Sequence, residues 1–262
     1  MRINRPPMPT KEITSPRNAI YKTFMRLLSG QEVKKRNLTL ITGLKQIKEV
    51  LRDNPDDCRG IIGLQREPLP MDTPPELDVY RLSAELFRKL DLFGTGPPLL
   101  LVQVKPLPVW TDRMWPAGCT LFIPFQDPAN VGAVIRTAAA FGAAQVVCLK
   151  EAAHPFNLRS VRVAGSAVFK VPLLDGPSIY DLTGLGKRLF VLDRRGSAVM
   201  GFEFPQAFGL LPGLEGQGVP EPLLKSYERL AIPIDRDIES LNAAMAVGVV
   251  LYEWKRGLAA EQ

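Results

Sequence analysis

The chain has 262 residues, 46% of them hydrophobic, with a net charge of +6 and a pI near 9.3, which is enough apolar material for one large or two ordinary folded domains. No run of 18 apolar residues occurs, and the opening Met1-Arg2-Ile3-Asn4-Arg5-Pro6-Pro7 lacks the apolar stretch of a signal peptide, so the expected location is the cytoplasm. Three scattered cysteines (Cys58, Cys119, Cys148) and one histidine (His154) give no support to a disulfide framework, a metal site or histidine catalysis.

Positive charge gathers at the start. Residues 1–36 hold nine Lys or Arg against two Glu, while the remainder carries 24 basic and 25 acidic groups. A flexible basic N-terminal arm over 1–36, poor in aromatics, suits contact with the phosphates of a polyanion. Strands are predicted at 38–42, 59–64 and 79–82, alternating with helices at 44–52 and 84–90, and a further strand at 98–104 completes a small α/β domain over 37–106. The proline-rich stretch that follows marks a linker at 107–118. Beyond it, over 119–262, nearly unbroken apolar strands are predicted at 120–124, 144–149, 188–192, 207–211 and 229–234, with an apolar helix at 239–254. Such strands are buried on both faces, as in a parallel sheet covered by helices, where ligands bind beyond the carboxyl ends of the strands.

Three loops stand at those ends. In the first, Asp127-Pro128-Ala129-Asn130 leads into a helix that Asn130 is suited to cap and Gly142 to stop. Arg136 sits among Val131, Val134, Ile135, Ala138, Ala139 and Phe141; it is either a snorkelling side chain at the edge of a core helix or a guanidinium aimed at an anion. In the second loop, residues 211–220, three glycines flank Glu215 and let a ligand approach the backbone, although the spacing is neither a P-loop nor G-x-G-x-x-G. In the third, residues 232–246, Ser240 reads as a helix cap and Asn242 falls inside the helix, where it needs a partner.

Taken in order, Asp127-Pro128-Ala129-Asn130-Val131-Gly132 with Arg136-Thr137-Ala138, then Gly213-Leu214-Glu215-Gly216-Gln217-Gly218, then Ile232-Pro233 with Ser240-Leu241-Asn242, resemble the three signature motifs of the SpoU (TrmH-type) branch of the SPOUT RNA methyltransferases. The stretch 157–167 is similar to the family's segment between the first and second motifs, and residues 43–51 and 80–106 resemble more loosely a small L30e-like domain. The resemblance implies an α/β protein whose C-terminal SPOUT parallel-sheet domain carries a trefoil knot and is preceded by an L30e-like RNA-binding domain. It implies methyl transfer from S-adenosylmethionine to a ribose 2′-hydroxyl of structured RNA, ribosomal rather than transfer RNA, by a homodimer and without a metal. Carried over to this sequence, the cofactor meets Leu192, Gly213, Ile232, Ile234 and Leu241, largely through backbone, and Asn130, Arg136, Glu215, Ser240 and Asn242 form the catalytic set. A guanidinium is a poor proton acceptor, so Arg136 is read as binding the target phosphate and stabilising the developing alkoxide. The alternative is a catalytically inactive RNA-binding protein of the same fold acting in ribosome assembly; the intact motif residues favour the enzyme. Two departures stand out: Arg162-Val163-Ala164-Gly165-Ser166-Ala167 displaces the serine and glycine of the family's R-A-S-x-G-A, and Thr42 stands where a glutamate is expected before Gly43.

Overall fold

The computed structural model describes residues 10–260 apart from Asp72, Gly186, Lys187 and Arg236. In chain order the elements begin β1 (Lys11–Ile13), α1 (Ala19–Leu27), α2 (Gly30–Arg36), β2 (Leu38–Thr42), α3 (Leu44–Asp53), β3 (Cys58–Leu64), β4 (Asp78–Leu82), α4 (Ala84–Leu90) and β5 (Leu99–Gln103). They continue with β6 (Gly118–Ile123), α5 (Pro128–Phe141), β7 (Gln145–Cys148), α6 (Leu158–Ala164), β8 (Leu173–Asp175), β9 (Leu189–Ala198), β10 (Ala207–Leu211), α7 (Glu221–Ser226), β11 (Glu228–Ala231) and α8 (Ala243–Ala260). The chain divides into two units, Met1–Pro106 with Phe156–Ser166, and Leu107–Pro155 with Ala167–Gln262.

The first unit is a mixed sheet in the order β1-β4-β3-β5-β2, with β1, β4 and β3 parallel and β5 antiparallel to both its neighbours. One core cluster joins Ile13, Leu40, Ile62, Leu82, Leu99 and Leu101 of the sheet to Tyr21, Phe24 and Leu27 of α1, to Leu86, Phe87 and Leu90 of α4, and to Leu158 of α6. From Lys11 onward the stretch expected as a flexible arm is therefore part of this core; Arg2 and Arg5 lie outside the described residues. The physical cause is in the spacing of Tyr21, Phe24 and Leu27, an apolar helix stripe that Asn18 caps by accepting the Ile20 and Tyr21 N–H groups at 2.8 and 3.3 Å. Strand β2 would be a bare edge, but Thr39 Oγ1 donates to the Phe156 carbonyl at 2.8 Å and α6 packs along the strand. A covered edge offers no template for pairing with another chain.

The second unit is a wholly parallel sheet in the order β11-β9-β10-β6-β7-β8. Its strands are buried on both sides, as their unbroken apolar sequences require. Helices α5 and α8 lie side by side, with Phe141 and Tyr252 in edge contact at 6.4 Å, and Trp254 of α8 meets Phe208 of β10 at 5.7 Å. The opposite face buries Trp110, Phe122, Leu189, Val191, Leu211 and Leu223. Within residues 107–118, expected as a linker, most side chains are exposed, but Trp110 is buried: it meets Phe122 edge-on at 5.0 Å, and its backbone N–H donates to the Asp175 carbonyl at 2.9 Å. The three cysteines are buried and unpaired, and among the described residues no helix is long and apolar enough to cross a membrane.

One irregularity shapes the carboxyl end of the sheet. Strand β11 pairs Arg229 with Val191 and then Leu230 with Ser197, so residues 192–196 of β9 bow out of the ladder. Gly196 lies so close to Arg229 that a Cβ would sit 2.5 Å from its carbonyl, which leaves room for no other residue there.

Candidate active site

Strands β11, β9, β10 and β6 are neighbours, and the segments leaving their carboxyl ends enclose a cleft of about 530 Å³, within the range of small-molecule sites. Its wall is built from the bowed residues of β9 (Leu192, Asp193, Arg194), the glycine loop after β10, the segment 232–243 after β11, and Asn130 at the start of α5. Leu214 and Gly218 exchange both backbone hydrogen bonds at 2.9 Å, closing the glycine loop into a tight hairpin, and Gly216 and Gly218 have positive φ. Gly213 is forced by closeness: a Cβ would come within 2.6 Å of the Gly218 backbone. Across the cleft mouth, Arg194 Nη1 donates to the Glu239 carbonyl at 2.9 Å.

A chain of hydrogen bonds ties the three loops together. Asn130 Nδ2 donates to Glu215 Oε1 at 2.5 Å, the Asp127 N–H donates to Glu215 Oε2 at 3.2 Å, and Asn242 Nδ2 donates to Asn130 Oδ1 at 3.1 Å. The two asparagines use both ends of their amides: Asn242 Oδ1 also accepts the Ala244 and Met245 N–H groups at 2.9 and 3.3 Å. Residues 85 and 112 positions apart thus close one network.

Two expected caps are displaced by one short step each. Asp127, not Asn130, caps α5, accepting the Ala129 N–H at 3.0 Å with Pro128 in the first turn, where its missing N–H costs nothing. Asn130 is left inside the first turn with its amide free to reach Glu215. Asn242, not Ser240, caps α8; it is exposed rather than buried in the helix, and its partner is the Asn130 amide. Ser240 still lines the cleft, as do Leu192, Gly213, Glu215, Ile232, Ile234 and Leu241. Arg136 does not. It is exposed on the outer stripe of α5 between Ala133 and Ala140 and makes no hydrogen bond or ion pair among the described residues. Asp193 and Arg194 were missed by sequence reasoning; the signal was the charged Asp193-Arg194-Arg195 run directly after an apolar strand.

The cleft's chemistry suits a flat, partly polar ligand. Leu192, Leu214, Val219, Leu230 and Ile232 provide apolar wall, the glycine loop exposes main-chain groups, and Asp193, Arg194, Glu215 and Glu239 supply charged side chains. Residues 121–252 match the model of the SpoU rRNA Methylase family. The chain belongs to that family. It is thereby a member of a class of S-adenosylmethionine-dependent RNA methyltransferases, and the parallel sheet with its cleft is that family's fold. The chain is 44% identical over 94% of its length to the protein named ribosomal RNA small subunit methyltransferase G 2 of Syntrophobacter fumaroxidans, but spans only 49% of that relative. It is 30% identical to the 23S rRNA (guanosine(2553)-2′-O)-methyltransferase RlmP of Bacillus subtilis, covering 92% of this chain and 98% of that one. The solved structure of an AdoMet-bound rRNA methyltransferase from Sinorhizobium meliloti superposes with a TM-score of 0.77 at 23% identity, over 95% of this chain and 98% of that one, a likeness of fold.

Proposed function

We propose that this SpoU member methylates a ribose 2′-hydroxyl of ribosomal RNA in the cytoplasm, and that the cleft beyond β9, β10 and β11 is its cofactor site. The observation that carries the reading is the Asn130–Glu215–Asn242 network, which joins all three motif loops around one cleft. Leu192, Gly213, Ile232, Ile234 and Leu241 would hold S-adenosylmethionine, through apolar contact and main-chain groups. The cofactor supplies a methyl carbon on a sulfonium, so the protein needs neither metal nor covalent intermediate. Glu215 accepts two hydrogen bonds from α5 and acts as a positioning residue, fixing the glycine loop against the helix that bears Arg136.

Arg136 turns outward from its own cleft, and a second copy of the chain gives it a role. Beside α5, helix α8 leaves Met245 65% and Tyr252 54% exposed, apolar surface that a homodimer would cover. Small residues flank Arg136 at Ala133 and Ala140, so close approach of a second copy is open there. Its guanidinium would then bind the target phosphate and stabilise the alkoxide next to the other copy's cleft. We also assign the small unit to the L30e-like class, on its mixed sheet, and the segment after β9 to a trefoil knot. Strand β9 stands between β10 and β11, and the bow at 192–196 gives the later chain room to pass. The RNA specificity suggested by the name of the Bacillus subtilis relative supports ribosomal over transfer RNA. The test is incorporation of labelled methyl from S-adenosylmethionine into unmodified 23S, 16S and transfer RNA, with mapping of any modified ribose; incorporation into none of them refutes the proposal.

A further inference from the structure

Helices α2, α6 and α3 of the first unit gather around the edge strand β2, although they come from parts of the chain more than a hundred residues apart. A Cβ on Gly30 would meet the Asn157 amide at 2.6 Å, which sets the start of α2 against the cap of α6. At the other end of α6, a Cβ on Gly165 would lie 3.6 Å from Gln46 Cγ, and Ser166 Oγ donates to Glu49 Oε2 at 2.7 Å, which sets α3 against it. On this assembled surface Lys35, Lys45, Lys48, Arg52, Arg159 and Arg162 are exposed. The carboxylates of the same helices are engaged: Glu32 with Arg36 at 2.7 Å, Asp53 with Arg52 at 2.7 Å, and Glu49 with the Ser166 hydroxyl. Lys35, Lys45, Lys48, Arg159 and Arg162 make no ion pair with a carboxylate among the described residues.

We propose that this α2–α6–α3 face docks the sugar–phosphate backbone of structured RNA, an inference that rests on the ribosomal RNA reading above. Arg159 and Arg162 stand one turn apart on α6, and Lys45 and Lys48 one turn apart on α3, so each pair presents two cations to one side of its helix. Among the described residues, no large apolar side chain is exposed on these three helices, so the face has nothing to insert between bases or into lipid. Its chemistry is charge and guanidinium forks, which read phosphate position and not base identity. No sequence window shows the face. It forms because residues 156–166, far along the sequence, belong to the first unit and cover its strand β2.

The test uses the full chain and an unmodified 23S ribosomal RNA transcript, with affinity measured between about 50 and 200 mM salt, where phosphate contacts dominate the change. Arg159→Ala/Arg162→Ala and Lys45→Ala/Lys48→Ala are each expected to weaken binding about tenfold at the low-salt end and to reduce the slope of log K against log salt by about 1.4–1.8, two contacts' worth. Affinity for S-adenosylmethionine stays at the wild-type value. The doubles lie on different helices, so misfolding of one leaves the other to decide. Lys89→Ala/Lys225→Ala removes the same charge from lysines paired on their own helices, and it leaves the slope unchanged. Wild-type slopes in both test doubles, or an equal loss in the control, overturn the proposal. A wild-type protein that methylates the transcript while the doubles bind normally overturns this face alone; one that binds cofactor but neither binds nor methylates any RNA overturns the functional reading with it.

Discussion

The substitution Asn130→Asp probes the central network with the smallest possible change. It replaces the Nδ2 donor, 2.5 Å from Glu215 Oε1, by an oxygen, so that two carboxylates meet where a hydrogen bond was, while the acceptor toward Asn242 is kept. Losing a hydrogen bond to a charged group costs about 1.5–3 kcal/mol, and two like charges near 4 Å repel by about 1 kcal/mol in water. Glu215 is exposed and Asn130 half-buried, so solvent screening weakens both contributions and brings the total down to about 2 kcal/mol. The glycine loop and the segment before α8 both line the cleft, and the cost is expected in the dissociation constant for S-adenosylmethionine, a rise of about 30-fold at pH 8 by titration calorimetry. Adding Glu215→Gln to this background puts an amide donor on the other side of the pair and should recover most of the loss. An unchanged constant in Asn130→Asp, or a double variant no better than the single, refutes the idea that this network positions the cleft.

Gly213→Ala would drive a methyl into the Gly218 backbone and force the hairpin open, an overpacking cost of about 1–3 kcal/mol; calorimetry should find cofactor binding lost while circular dichroism still reports a folded chain. Arg136→Lys keeps the charge but not the fork, and is expected to cut methyl transfer about 100-fold with cofactor affinity intact; near-normal turnover would falsify the assigned role. Removing the α8 cap in Asn242→Ala should cost about 1 kcal/mol and lower the melting temperature by a few degrees. Burial raises the Cys58 thiol to about 11 and the Cys148 thiol to about 12, against 9.0 when unburied. Above pH 9 the unfolded chain therefore gives up protons that the folded chain keeps, and stability should fall with rising pH by up to about 1.4 kcal/mol per unit for each such thiol. Cys148→Ala should flatten the decline of melting temperature between pH 9 and 11, and a profile no flatter than that of the wild type would contradict it.

Five of the six strands of the second unit were legible because parallel strands buried on both faces announce themselves as unbroken apolar runs; the three-residue edge strand β8 is too short to show that signal. Four of the five residues expected as catalytic, and all five expected against the cofactor, line one cleft. What sequence alone missed has a common cause in pairing across distance. Asn242 read as a misplaced helix residue because its partner, Asn130, is 112 positions away. Arg136 read as either a snorkelling side chain or an anion-binding guanidinium because its neighbours are apolar; the helix turns Ala133, Arg136 and Ala140 away from its buried stripe. Charge count at 1–36 masked the apolar stripe of α1, and nothing local in residues 156–166 says that they will join the first unit and cover β2.

The jump in pairing between β9 and β11 also bears on the order in which the protein becomes competent during synthesis. Five adjacent strands can assemble as soon as residue 211 has been made, yet the wall at 192–196 has nothing to bow around until β11 arrives, and the last part of the cleft follows only with residues 232–243. A nascent chain short of that point is a sheet without a site. Ligand binding in the cleft therefore depends on chain that is added after most of the sheet is already complete.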